Sequence, residues 1–167
     1  MSILISGNLK KKILNVTRNI NRKNQDKHIS IPHINILSGS YNNEKKLLKL
    51  FNKIKFKKKN IIKSIGIGVF AGKKNIIYLR FELNYFINKL RKHVFKTVNL
   101  KKEQIDLTAT DLLWTPKCTI AIMKGHNKKF LPILNYTKSK LSKHNFYTKD
   151  LALIDVTSTE EILLKKK

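Results

Sequence analysis

Three rhythms of apolar residues run along this chain. From Asn43 the pattern is helical: Leu47, Leu48, Leu50, Phe51 and Ile54 recur at helical spacing with lysines on the other face. Asn43 is placed to cap that helix, with Glu44 in its first turn. The helix runs out into Lys57-Lys58-Lys59, ordinary complements of a helix C-terminus and weak evidence of a partner. Ile61 to Phe70 reads as a strand, Ala71-Gly72-Lys73-Lys74 as a turn, and Asn75 to Phe81 as the strongest strand in the sequence. The period then lengthens again at Leu83, Phe86, Ile87, Leu90, Val94 and Val98. That predicts an amphipathic helix from about Asn84 to Leu100, packed on a sheet.

Beyond it, Ile105 to Trp114 and Cys118 to Met123 read as strands around a Thr115-Pro116-Lys117 turn, and Gly125 to Lys129 as another turn. Phe130 to Tyr136 extends as a strand that Pro132 confines to an edge or bulge. A basic loop leads to a strand pattern over Phe146 to Val156. Thr157-Ser158-Thr159-Glu160-Glu161 then opens a final helix, Glu standing three residues after Ser or Thr as in a capping box. From Ile76 the order strand, helix, strand, strand, strand, helix predicts an α+β fold, a small ferredoxin-like sandwich.

The N-terminal part breaks the rhythm. Asn8 to Ile29 is polar and basic with scattered Ile, Leu and Val, and reads as a solvated arm that orders on a partner. Ile31-Pro32 to Ser40 reads as an extended piece and a turn. The expected organisation is a basic extension over 1–42, a helix and strand over 43–75, and an α+β core over 76–167.

Charge changes the picture most. The 167 residues carry 36 Lys and Arg against 10 Asp and Glu, a net charge of +26. With so few carboxylates to neutralise it locally, such a chain repels itself unless a polyanion stays bound, and nucleic acid is the usual one. Only Arg18, Arg22, Arg80 and Arg91 are arginines. Lys, Asn and Ile have A+T-rich codons, so part of the lysine excess reflects an A+T-rich genome, of an organelle or a reduced parasite; the scarcity of Glu argues against drift alone. No apolar run is long enough to span a bilayer. The N-terminus carries neither a signal-peptide pattern nor an Arg- and Ser-rich transit pattern.

Candidate chemistry is sparse. Gly66, Gly68, Gly72 and Lys73 fail the spacing of a phosphate-binding loop and of a dinucleotide fingerprint, and read instead as a glycine-softened strand and hairpin turn. His28, His33, His93, His126 and His144 show no metal-ligand spacing. Cys118 is the sole cysteine, within the apolar run Cys118 to Ile122, and reads as a buried, inert thiol. Asp106, Asp111, Glu103, Glu160 and Glu161 form no paired-carboxylate pattern, so neither an enzyme nor a cofactor is expected. The candidate RNA-binding residues are Lys10, Lys11, Lys12, Arg18 and Arg22 of the arm, then Lys117, Lys124, His126, Lys128, Lys129, Lys138, Lys140, Lys143, His144 and Lys149. Tyr136 is the aromatic expected to stack on a base.

Several strings carry a family resemblance. Leu151-Ala152-Leu153-Ile154-Asp155-Val156, Gly125-His126-Asn127-Lys128-Lys129, Tyr147-Thr148-Lys149 and the strand Ile77-Tyr78-Leu79-Arg80-Phe81 resemble, in kind and order, those of the tenth-numbered protein of the ribosomal small subunit in its mitochondrial form. The resemblance implies a β-hairpin arm within Thr119 to Tyr147 that meets rRNA, and a second helix from Thr157. It also implies work as a structural constituent of a mitochondrial ribosome, touching rRNA and neighbouring ribosomal proteins; the N-terminus then reads as that of a chain made inside the organelle or already processed, and the initiator Met favours the former. The family closes with a further strand after its second helix, whereas here Lys165-Lys166-Lys167 follow; Ile61 to Phe70 is available to take that edge. A DNA-binding nucleoid or regulatory protein is the rival expectation.

Overall fold

The computed structural model describes residues 1–24, 31–41, 43–99, 106–107, 114–124, 128–141, 143–157 and 160–166. In chain order the elements are β1 (Ser2–Leu4), α1 (Gly7–Asn24), β2 (His33–Asn35), β3 (Gly39–Ser40), α2 (Glu44–Lys53), β4 (Ile61–Phe70) and β5 (Lys74–Phe81). They continue with α3 (Tyr85–Val98), β6 (Asp106–Leu107), β7 (Lys117–Lys124), α4 (Phe130–Lys140), β8 (Asn145–Tyr147), β9 (Leu151–Thr157) and β10 (Glu160–Lys166). The class is mixed α/β. Two antiparallel four-stranded sheets, ordered β10-β9-β1-β2 and β7-β5-β4-β8, carry the fold, and β3 pairs β6 apart from them.

The hairpin of β4 and β5 follows from its glycines. Gly66 holds a φ of +132° at the register shift after Ser64, a backbone state that favours glycine. Gly68 faces Tyr78 across the pair, and a Cβ there would lie 2.5 Å from the Tyr78 ring, so glycine makes room for that ring to stack on Phe70 at 4.6 Å. The helices at 44–53 and 85–98 are also where the periodicity puts them. Asn43 caps α2 by accepting from the Lys46 amide at 2.9 Å, and Asn84 caps α3 by accepting from the Ile87 amide at 2.9 Å.

Several expectations are corrected. Residues 7–24 are not a solvated arm: α1 buries Leu9, Ile13, Val16 and Ile20, one apolar residue per turn beneath a lysine-rich surface. β1 lies inside its sheet, paired with β2 through Ile3↔Ile34 and with β9 through Ile3↔Leu151. The described residues of 1–42 therefore contribute core rather than an extension to one. Phe130 to Lys140 is a helix rather than an edge strand, because Pro132 sits in the first turn, where its missing N–H has no intrahelical role. The segment after Thr157 is strand β10, with Glu161↔Val156 and Leu163↔Ile154 in register with β9. Instead of capping a helix, the Glu161 carboxylate accepts from the Ile31 amide at 2.8 Å. With α4 inside 119–147 and a strand at the C-terminal end, neither a hairpin arm nor a strand-helix-strand-strand-strand-helix order is present among the described residues. Most of 105–114 lies outside those residues, apart from Asp106–Leu107 and Trp114.

The two sheets approach where edge strand β2 lies against edge strand β7. Helix α1 packs on β7 and β8, and α4 touches α1 and β4. Elsewhere α2 packs on α3, which is pinned to the chain just after β2: the Arg91 guanidinium donates to the Ile36 carbonyl at 2.5 Å and lies 4.4 Å from the centre of the Phe95 ring and 4.3 Å from that of Trp114. Trp114 Nε1 donates to the Asn35 carbonyl at 2.7 Å. One hydrophobic cluster runs through both sheets, from Ile3, Ile34 and Leu151 to Ile62, Ile77 and Leu79.

Candidate nucleic-acid interface

Helices α1 and α4 contain no Asp or Glu, while α1 carries six Lys and Arg and α4 two. Their contact is fixed by the Asn19 amide, which donates to the Tyr136 hydroxyl at 2.8 Å. Helical geometry sets what flanks that bond. Lys12, Asn15 and Arg22 share the Asn19 stripe of α1 at steps of three and four, and all are exposed. On α4, Lys140 stands one turn beyond Tyr136 and Lys129 just before the helix, both exposed. Cations from two helices thus border one seam, and neither helix brings a carboxylate to it.

The sequence candidates divide around this seam. Lys10, Lys11, Lys12, Arg18 and Arg22 are exposed on α1; Lys128, Lys129, Lys138 and Lys140 are exposed on or beside α4. Tyr136 is half-buried against the core, and its hydroxyl is taken by Asn19, so it joins two helices and is no free stacking platform. Lys117 is half-buried at the start of β7, its ammonium 5.2 Å from the centre of the Phe70 ring. Lys124 ends β7, and His126 lies outside the described residues.

Lys143, His144 and Lys149 gather near β8. Lys143 and His144 join Lys63, Ser64 and Glu82 around a hollow of about 580 Å³. The His144 amide donates to Ser64 Oγ at 2.7 Å, while its buried Nε2 has no hydrogen-bond partner among the described residues. Lys149 is exposed beyond β8.

The β2/β7 meeting is chemically quieter. His33 is buried, its Nδ1 donates to the Ile31 carbonyl at 2.6 Å, and the same nitrogen lies 3.5 Å from Glu161 Oε2. Burial pushes the Cys118 thiol up to about 12; a hydrogen bond from the His33 backbone lowers it, and the Glu161 charge adds to the rise. The thiol stays protonated at neutral pH, which matches the inert reading of the sequence. Among the described residues no cluster of His, Cys, Asp or Glu could hold a metal ion, and no helix is long and apolar enough to cross a membrane.

Sequence reasoning missed the lysines of α2 as a group. Lys45, Lys46, Lys49 and Lys53 read as the solvated face of an amphipathic helix. The face that Lys96 of α3 turns toward them could not be read from local periodicity.

No family model and no curated protein sequence matches the chain. Among solved structures, the crystal structure of TT0787 of Thermus thermophilus superposes with a TM-score of 0.68 over 99% of this chain and 93% of that one, at 12% identity. The two share a fold. Coverage of 99% leaves no room for a 42-residue appendage outside it, in agreement with the paired β1 and the buried face of α1.

Proposed function

We propose that the protein binds structured RNA through its phosphates, as a constituent of a ribonucleoprotein particle. The mitochondrial ribosomal small subunit is the particle to which the sequence points. The observation that carries the reading is the α1–α4 pair: seven exposed cations, Lys10, Lys11, Lys12, Arg18, Arg22, Lys138 and Lys140, and no carboxylate on two helices in contact. A carboxylate-free surface of this kind gains by releasing the counterions condensed on a polyanion. Phosphate contacts position a protein without reading sequence, so recognition is of RNA shape. The ribosomal particular rests on the sequence strings alone, since the hairpin arm and final helix it implied are a helix and a strand here. The weight therefore falls on charge and its placement.

Co-sedimentation of the full chain from its own cell extract, at high magnesium, tests the reading. Particle association that RNase abolishes and DNase leaves intact is the expected result. DNase-sensitive association establishes the nucleoid alternative instead, and recovery only in the free fraction refutes both.

A further inference from the structure

Lys45, Lys46, Lys49 and Lys53 of α2 and Lys96 of α3 line one hollow of about 780 Å³, completed by Asn43, Leu50, Thr97 and Asn99. Among the described residues no carboxylate lines it; Glu44, in the first turn of α2, is not among its walls. Part of this has an ordinary explanation: Lys53 and Lys96 stand in the last turns of their helices, where a cation complements the dipole.

The rest does not. Lys45 and Lys46 occupy the first turn of α2, where the dipole opposes a cation and favours an anion. Lys45, Lys49 and Lys53 repeat every four residues, about 6 Å apart along the axis, and like charges at that spacing destabilise a helix. A solvated lysine face is convex and lets its ammonium groups spread apart. Here the four lysines line one concavity together with a fifth from the facing helix, and clefts lined by one sign of charge focus the field on a counter-ion. The free protein bears this repulsion, and a bound polyanion removes it.

We infer that the α2–α3 groove is a second RNA-binding site, which holds one strand of the phosphodiester backbone without reading its bases. A linear row of cations fits a polymer with one charge per repeat better than a compact anion. No aromatic side chain among the described residues lines the groove, so base stacking does not contribute and binding is indifferent to sequence. The groove is built from other helices than the α1–α4 seam. It rests on the RNA-binding reading for its ligand but not for its location.

The test uses the full chain and labelled single-stranded poly(U) and poly(A) oligonucleotides, with anisotropy read across a salt series. The variant Lys45→Gln, Lys49→Gln, Lys53→Gln, Lys96→Gln is compared with a seam variant, Lys12→Gln, Arg22→Gln, Lys129→Gln, Lys140→Gln, and with a charge-preserving Lys→Arg version of the groove set. The groove variant is expected to flatten the log K against log salt slope by about 0.7 per lost single-strand contact, about 2 to 3 in all, equally for both polymers. The Lys→Arg version should keep the slope. Wild-type slope in the groove Gln variant, while the seam variant loses affinity, overturns the groove and leaves the RNA-binding reading standing. Absence of RNA binding by the wild-type chain removes both. Loss of poly-glutamate binding with RNA binding unchanged overturns the inference in favour of an acidic protein segment.

Discussion

Asn19 on α1 donates a hydrogen bond to the Tyr136 hydroxyl on α4 at 2.8 Å, across 117 residues of sequence. The bond joins two basic stretches that the sequence pattern keeps apart, one as a solvated arm and one as a strand and loop. Because it lies at an exposed position, water replaces it at little cost. Tyr136→Phe should therefore lower the unfolding free energy by no more than about 1 kcal/mol. RNA affinity should stay at the wild-type value, since ring and lysines remain. Chemical denaturation and a binding titration check both, and a large loss of affinity would give the hydroxyl a direct role in the interface.

Whether α1 belongs to the core is settled by one substitution. Ile13 is 2% exposed, and Ile13→Ala should destabilise by about 2–5 kcal/mol, as expected for a buried aliphatic side chain. Leu90→Ala on α3, where the parent is 4% exposed, should cost a similar amount. The exposed Lys11→Ala should leave the denaturation midpoint where it was. Wild-type stability in Ile13→Ala would restore the solvated arm.

Gly68 supplies a further test. Its absent Cβ is the space that the Tyr78 ring fills, so Gly68→Ala must displace a ring stacked on Phe70. A loss of about 1–3 kcal/mol is expected, as for other overpacked sites. Gly72, with no atom nearer than 3.9 Å to its would-be Cβ, should accept Ala with less effect. Thermal melts of the two variants give the comparison.

Cys118 links stability to pH with a definite sign. The folded thiol titrates at about 12 against an ordinary 9.0, so the folded state keeps a proton that the unfolded state gives up. Its contribution is complete below about pH 9 and is lost as pH rises toward 12, at about 1.4 kcal/mol per unit for this one group. Denaturation from pH 8 upward should fall less steeply in Cys118→Ala than in the wild type. The native thiol should also resist alkylation at neutral pH and react on unfolding. Rapid native labelling would mean the thiol is exposed.

Elements whose cause is local are legible in the sequence. The cap Asn43, the apolar series from Leu83 to Val98 and the glycines of β4 each act within a few residues, and each element lies where the pattern puts it. The elements that escape a sequence reading depend on distant partners. Ser2–Leu4 is a strand because β2 and β9 bond it on both sides, and nothing near Ile3 announces Leu151. The Leu9-Ile13-Val16-Ile20 stripe is visible but narrow, one residue per turn among lysines and asparagines. Pro132 reads equally as a strand breaker and as a first-turn helix residue, and only the packing of α4 decides between them. The Thr-Ser-Thr-Glu-Glu string satisfies a capping pattern, yet pairing with β9 overrides it. For the interface, the exposed cations of α1 and α4 are legible from sequence. Their juxtaposition, the burial of Tyr136 and the convergence of Lys96 on α2 belong to tertiary structure.

Phosphate contact is the central claim, and the salt dependence of RNA binding by the full wild-type chain measures it most directly. With a structured RNA, the observed affinity should fall linearly on a log–log plot with a slope of about −5 or steeper, as expected if six or more helical phosphates are each held at about 0.9. The seam variant should flatten that slope. A slope near zero, or no binding even at low salt, would contradict phosphate contact and leave the +26 charge without a nucleic-acid role.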